Sequence, residues 1–306
     1  GGSAISTYAI QYSSNGGVSW TSFVRAASTT TAATVTGLSN GTSYRFRVAA
    51  VNGAGTGAFV RSVAITPKTV ASVPTALVGT FGNARVSLGW TAPSVSGGVP
   101  VTDYIVQYRK TTDTIWTTFS DGVRTTPTAI VTGLTNGTSY LFRVAAVNAA
   151  GNSGFVQSVG VTPMTVASVP KALVGTFGNA QVSLVWTAPS VSGGVPITDY
   201  TVQYRKTTDT TWTTFNDGVR TTPTAIVTGL TNGTRYYFRV AAVNAAGTSA
   251  FVQSRAVTPK TVADAPTNIS GISRLGVAYL RWSAPLSRGG AAVTRYEITY
   301  STNGGV

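Results

Sequence analysis

The sequence predicts an all-β protein built of tandem seven-stranded β-sandwiches. Three observations lead there. First, the chain repeats itself: Tyr8, Tyr104, Tyr200 and Tyr296 step by 96 residues, as do Trp90, Trp186 and Trp282, Gly37, Gly133 and Gly229, and Pro67, Pro163 and Pro259. A period that long is a domain rather than a solenoid turn. Second, each period reads as short alternating stretches bounded by Gly, Pro and Asn, with no helical stripe. Third, the 306 residues are 42% hydrophobic, with 6 Trp, 13 Tyr and 11 Phe, and only 10% charged. That composition fills cores and is the reverse of a disordered one.

Residues 72–164 show the elements in order. The stretches ALVGTF and ARVSLGW flank Gly82-Asn83, a tight turn between antiparallel strands. APSVSGGVP is a loop by composition. TDYIVQYRK then alternates, so that Tyr104, Val106 and Tyr108 share one face. TIWTTF and TAIVTGL are two further short strands, and TNGT turns the chain into the long strand SYLFRVAAV. There Tyr140, Phe142, Val144 and Ala146 fall on one face, with Leu141, Arg143 and Ala145 on the other. GFVQSVGVTP is the last strand and stops at Pro163, whose missing N–H ends a ladder. The linkers KTVASVP, MTVASVP and KTVADAP are short and end in proline, which favours a stiff, extended string.

These residues closely resemble the fibronectin type III family. The marks are Trp90, Trp186 and Trp282 followed by Ala-Pro, the third-strand pattern Tyr104-x-Val106-x-Tyr108 with its copy Tyr200-x-Val202-x-Tyr204, and Gly-Leu-x-Asn-Gly-Thr-x-Tyr running into x-Phe-Arg-Val-x-Ala-Val-Asn. The resemblance covers essentially the whole chain and implies immunoglobulin-like sandwiches with sheets of three and four strands. It divides the chain into a partial domain at 1–68 lacking its first two strands, complete domains at 69–164 and 165–260, and a partial domain at 261–306 holding three strands. Leu134 and Tyr140 around Asn136-Gly137 look like a tyrosine corner, with Leu38 and Tyr44, and Leu230 and Tyr236, in the same phase. Together with the three tryptophans these form the expected structural core. The threonine- and alanine-rich style looks bacterial. In phase, Gly1-Gly2 falls on Gly97-Gly98 and Val306 on Thr114 and Thr210. This favours an excerpt of a longer array over a protomer that polymerises by strand addition.

Chemistry is scarce. With neither cysteine nor histidine, disulfides, thiolate sites and the commonest general base are absent from this sequence. The eight carboxylates include Asp113, Asp121, Asp209 and Asp217 in separate loops, without the close spacing of a calcium loop. Neither a nucleophile elbow nor a phosphate-binding glycine loop occurs, so the expectation is a non-enzyme that takes no cofactor. The Arg-Gly-Asp tripeptide of some family members is missing. No apolar run is long enough to span a membrane.

The net charge is +14, which draws polyanions. The longest basic runs are only Arg109-Lys110 and Arg205-Lys206, so the charge is read first as solubility and repulsion between like copies, with acidic polysaccharide as a candidate partner and nucleic acid disfavoured. Alternation places Arg47, Arg143 and Arg239 outward on the long strand and Arg109 and Arg205 outward on its neighbour, a candidate basic face against the alternative of ordinary solvated arginines. Asn40, Asn136, Asn232 and Asn268 head sequons. The first three share one phase because each sandwich needs an Asn-Gly turn there, and this turn is preferred to glycosylation. The expected role is a structural or adhesive segment of a secreted or cell-surface protein, forming a fibre, stalk or filament. Its partners would be copies of itself or further repeats, end to end or laterally. The alternative is a spacer array of a large secreted polysaccharide-degrading enzyme.

Overall fold

A computed structural model describes residues 2–303. Gly1 and Val306, the ends used in the phase comparison, lie outside the described residues. The chain separates into two units, Gly1–Leu134 with Thr138–Pro163, and Thr135–Gly137 with Met164–Val306. The described residues hold strands and no helix.

In the first unit, residues 75–161 form a complete sandwich. Thr75–Gly82, Arg85–Thr91 and Thr128–Thr132 make an antiparallel sheet with Arg85–Thr91 in the centre. The second sheet is led by Val101–Lys110 and Tyr140–Asn148, paired antiparallel with Val106 opposite Val144 and Gln107 opposite Arg143 and a register shift between Val147 and Asn148. Thr117–Phe119 extends one edge of that sheet, and Gly151–Asn152 and Val156–Gln157 extend the other. The alternation of Arg85–Thr91 sends Val86, Leu88 and Trp90 inward, where they meet Val106, Phe142 and Val144 from the facing sheet. Trp90 stands edge-on to Tyr104 at 5.0 Å, a favoured aromatic geometry.

The second unit repeats this plan. Lys171–Gly178, Gln181–Thr187 and Thr224–Val227 form one sheet, and Ile197–Lys206, Thr213–Phe215, Tyr236–Asn244, Gly247–Thr248 and Val252–Gln253 form the other. Its core is the same set one period on, including Val182, Leu184, Trp186, Val202, Phe238 and Val240.

The structure differs from the sequence reading in four places. The expected final strand GFVQSVGVTP is broken into Val156–Gln157 and a bridge between Val161 and Tyr140. The cause is local: the amides of Ala146 and Phe142 donate to the hydroxyls of Ser153 and Ser158 at 2.9 and 3.0 Å, replacing ladder bonds. The first turn centres on Asn83-Ala84 rather than Gly82-Asn83. In the N-terminal partial domain, residues 32–36, equivalent to strand Thr128–Thr132, are not a strand. In the C-terminal one, among the described residues the strands are the hairpin Thr267–Arg274 and Val277–Ser283, while residues 292–300, expected as a third strand, are not in a ladder. Strand ladders need a partner, and among the described residues neither stretch has a strand paired beside it.

Candidate functional site

Two features each recur three times along the chain. The first is an arginine held between aromatic rings on the outer face of the larger sheet. Arg143 lies 4.4 Å from the Trp116 ring centre and 4.2 Å from that of Phe155. Its Nε donates to Gln107 Oε1 at 2.7 Å, and Gln107 Nε2 in turn donates to Thr118 Oγ1 at 3.0 Å. Cross-strand register sets this up, since Arg143 faces Gln107 on one side and Gln157 on the other. One period on, Arg239 sits 4.3 Å from Trp212 and 4.2 Å from Phe251 and donates to Gln203. One period earlier, Arg47 sits 4.4 Å from Trp20 and 4.5 Å from Phe59 and donates to Gln11.

A second arginine reaches each indole. Arg109 approaches Trp116 at 5.0 Å, Arg205 approaches Trp212 at 5.0 Å, and in the first repeat Arg61 approaches Trp20 at 5.4 Å. Arg109 and Arg205 also donate to the carbonyls of Asp113 and Asp209. Burial, and then the charge of Arg205, hold Arg239 below the ordinary arginine range. The five arginines expected on one face are therefore gathered around rings, three of them half-buried between two aromatics. The sequence reading missed Trp20, Trp116, Trp212 and the phenylalanines. Their common phase was the available signal.

The second feature is the linker. Thr69 donates from its amide to Gly97 O and Ser72 to Val95 O, each at 2.9 Å. The side-chain amide of the buried Asn148 donates to Thr69 O at 2.9 Å and Ser96 O at 2.8 Å. Lys68 Nζ reaches Ala149 O at 2.8 Å, and Ala71 is buried. In the second unit Thr165 bonds Gly193, and Asn244 holds Thr165 and Ser192 in the same way. Thr261 bonds Gly289. The paired glycines are what this fit demands. At φ 79 and 85, Gly97 and Gly98 adopt backbone that favours glycine. A Cβ on Gly97 would stand 2.1 Å from Thr69 O, and one on Gly98 would stand 2.2 Å from the amide nitrogen of Gly41. Gly41 belongs to the Asn40-Gly41 turn, whose amide donates to Pro67 O. Gly290 meets Gly233 similarly.

The remaining candidates are placed as follows. Trp90, Trp186, Leu134, Leu230, Tyr44, Tyr140 and Tyr236 are buried. Leu38 and Trp282 are only half-buried, because they belong to the sandwiches that lack a facing sheet. The hydroxyls of Tyr44 and Tyr236 accept the amides of Ser39 and Thr231 at 3.1 and 3.2 Å. Asn232 Nδ2 donates to Asn179 and its Oδ1 accepts the Ala180 amide, and Asn136 lies against Gly194. Asn40 is exposed. Asn268, at φ 53, donates to Ser283 Oγ. Asp103 and Asp199 accept the Arg124 and Arg220 amides, ordering the loops of Asp121 and Asp217. Among the described residues no three acidic side chains gather as a metal site, and no helix is long and apolar enough to cross a membrane.

The chain is 32% identical over 225 residues to human Myomesin-2, covering 70% of this chain and 15% of that protein. It is 27% identical over 285 residues to Titin of Drosophila melanogaster, covering 88% and 2%. It is 35% identical over 254 residues to Exoglucanase B of Cellulomonas fimi, covering 76% and 22%. The chain thus spans less than a quarter of each of these relatives. A solved structure, the FN1-FN3 domains of chicken CNTN1, aligns at 21% identity with a TM-score of 0.35, covering 85% of this chain and 90% of that one. The family model of the fibronectin type III domain matches residues 1–66, 73–162 and 170–259. This chain belongs to the fibronectin type III family, as a tandem array of its domains.

Proposed function

We propose that the chain is a non-catalytic structural segment of a longer extracellular protein, serving as part of a fibre, stalk or filament. The observation that carries this reading is the linker. Its residues are hydrogen-bonded into the repeat that follows, through Asn148 and the paired glycines, rather than left as a free tether. Such a linker transmits load and orientation between neighbours, which a chain built only to separate two activities does not require. Similarity to Myomesin-2 and Titin supports a structural role, and the absence of histidine and cysteine agrees with a non-catalytic one.

Force extension of single molecules tests it. Each complete repeat of 96 residues should open in one step of about 300–350 Å of contour. Gradual lengthening without steps overturns the load-bearing reading, and turnover of a polysaccharide by the purified chain overturns the non-catalytic one. A second reading, a spacer array of a secreted polysaccharide-degrading enzyme, is favoured by the similarity to Exoglucanase B. A catalytic domain in the same native polypeptide, found from its intact mass and peptides, would select that second reading.

A further inference from the structure

We propose that each of the first three repeats carries an anion site made of two guanidinium groups on one indole, and that its ligand is the carboxylate or sulfate of an acidic polysaccharide. The pairs are Arg47 with Arg61 on Trp20, Arg143 with Arg109 on Trp116, and Arg239 with Arg205 on Trp212.

The second arginine of each pair carries the argument, because it comes from different strands in different repeats. Arg109 and Arg205 stand on the third strand of their sandwiches. The first repeat has Ser13 at that phase and supplies its cation from Arg61 on the last strand, where the other repeats have Gln157 and Gln253. The fold does not need an arginine at either position, since each is filled by a neutral residue in another repeat. What all three repeats share is the outcome, two cations on one ring.

That outcome is self-repelling. Arg47 and Arg61 face one another directly across the strands, and like charges so placed destabilise a sheet. Residues 2–68 contain no carboxylate to relieve them. In the next repeats the Asp113 and Asp209 carboxylates instead accept from Thr112 and Thr208, and Arg109 and Arg205 meet only their carbonyls. The Nε atoms of Arg109 and Arg205 are buried without a hydrogen-bond partner among the described residues, so a ligand would meet the terminal guanidinium nitrogens. An anion beside the two guanidinium groups offsets the repulsion and accepts charge-assisted hydrogen bonds from their terminal nitrogens. The neighbouring Gln157 and Gln253 amides are exposed and can meet sugar hydroxyls. Single-stranded nucleic acid fits less well, because it needs bare ring faces for its bases, and these rings already hold guanidinium groups.

The site does not rest on the load-bearing reading, since a chain without stepwise unfolding can still bind. Calorimetric titration of the intact chain with oligogalacturonate at low salt tests it. The variants exchange residues between repeats, so each side chain is one that the fold already accepts: Arg61→Gln, Arg109→Ser and Arg205→Ser, against Arg85→Gln as a control, since Gln181 stands at that phase on the other sheet. Combining the three should weaken binding about tenfold or more, while Arg85→Gln changes it less than about twofold. Unfolded material is recognised by loss of the thermal transition, and Arg61→Gln alone then serves, read by the Trp20 indole N–H resonance. Unchanged affinity in the variants, or an equal loss from Arg85→Gln, overturns the site. Single-stranded DNA that binds as tightly and is weakened by the same substitutions overturns the polysaccharide assignment.

Discussion

Residues 128–132 and residues 32–36 occupy the same phase of the repeat and have related sequences, TAIVT and AATVT. The first is a strand, with Ala129 and Val131 buried against the core. The second is irregular, and its Val35 lines an open apolar hollow with Tyr8, Ile10, Leu38 and Phe46. The difference is the neighbour. Val131 pairs with Val86 of Arg85–Thr91, and residues 2–68 have no such strand to offer. β-Propensity here measures fit to a pleated, half-covered surface rather than a backbone preference. The complete and open sandwiches should therefore answer differently to the same substitution.

The largest effect is expected at the core tryptophans. Trp90→Ala and Trp186→Ala should each cost about 3–5 kcal/mol, because the ring is removed from a closed core. Trp282→Ala, at the same phase but half-buried on a hairpin without a facing sheet, should cost less than half as much. Hydrogen exchange of amides in each repeat reads the three separately, which a single melting curve of several domains does not. Equal costs would show that Trp282 is as well packed as the others and would erase the contrast.

The paired glycines come next. Gly98→Ala forces a Cβ into the backbone of Gly41 at positive φ. It should cost about 1–3 kcal/mol of local stability in strain alone, with faster exchange of the Thr69 and Gly41 amides. Gly133→Ala shares the positive φ but meets nothing within 4 Å, so it should cost no more than about 1–2 kcal/mol and leave the linker protected. Faster exchange at Thr69 from Gly133→Ala would sever the effect from the contact.

Much of this was legible in the sequence and some was not, for definite reasons. The period and the alternation located the sandwiches, because burial of one face imposes a two-residue rhythm, as Val86, Leu88 and Trp90 show. The same rhythm put Arg143 on the outer face. It could not show that Trp116, beside a short edge strand, and Phe155, from a connecting turn, would close over that arginine, since those contacts depend on register across three strands. The meeting of Gly41 with Gly98 was hidden for a related reason: each glycine suits its own turn, and only the docking of one repeat on the next explains why neither can change. The broken last strand turned on two serine hydroxyls, Ser153 and Ser158, which compete locally with the ladder.

Smaller effects sharpen the contrast between rings and charge. Arg143→Lys keeps the charge but gives up the Nε hydrogen bond to Gln107 and the flat stacking between Trp116 and Phe155. It should cost about 1 kcal/mol by hydrogen exchange of its repeat. No loss would mean that charge alone suffices at this position. At the first turn of each complete repeat, Ala84 and Ala180 sit at φ 52 and 51, where an L side chain is strained and glycine is not. Ala84→Gly and Ala180→Gly should each stabilise by about 0.5–1 kcal/mol, and a loss of stability would show that the alanine methyl packs usefully.

The smallest expected effect separates two parts of one loop. Burial pushes the Asp121 carboxyl above its ordinary range and the nearby Asp103 charge adds to this, while its own backbone amide and Arg124 pull it back. Asp217 is set the same way one period on, with Arg220 and Asp199. A raised folded-state value means that the native state holds the proton more tightly than the unfolded chain. The stability from this group is then complete below the unfolded value and is lost as pH rises through the folded one. Asp121→Asn removes that loss, so its gain over the parent should be greatest near neutral pH and should vanish in acid, below both values. Asp103→Ala should behave differently, because the Asp103 carboxylate accepts the Arg124 amide and loss of that acceptor weakens the loop that Asp121 occupies. Denaturant titrations of the two variants at neutral and acid pH decide the matter. If Asp121→Asn destabilises at neutral pH, the Arg124 charge outweighs burial and the assigned order of causes is wrong.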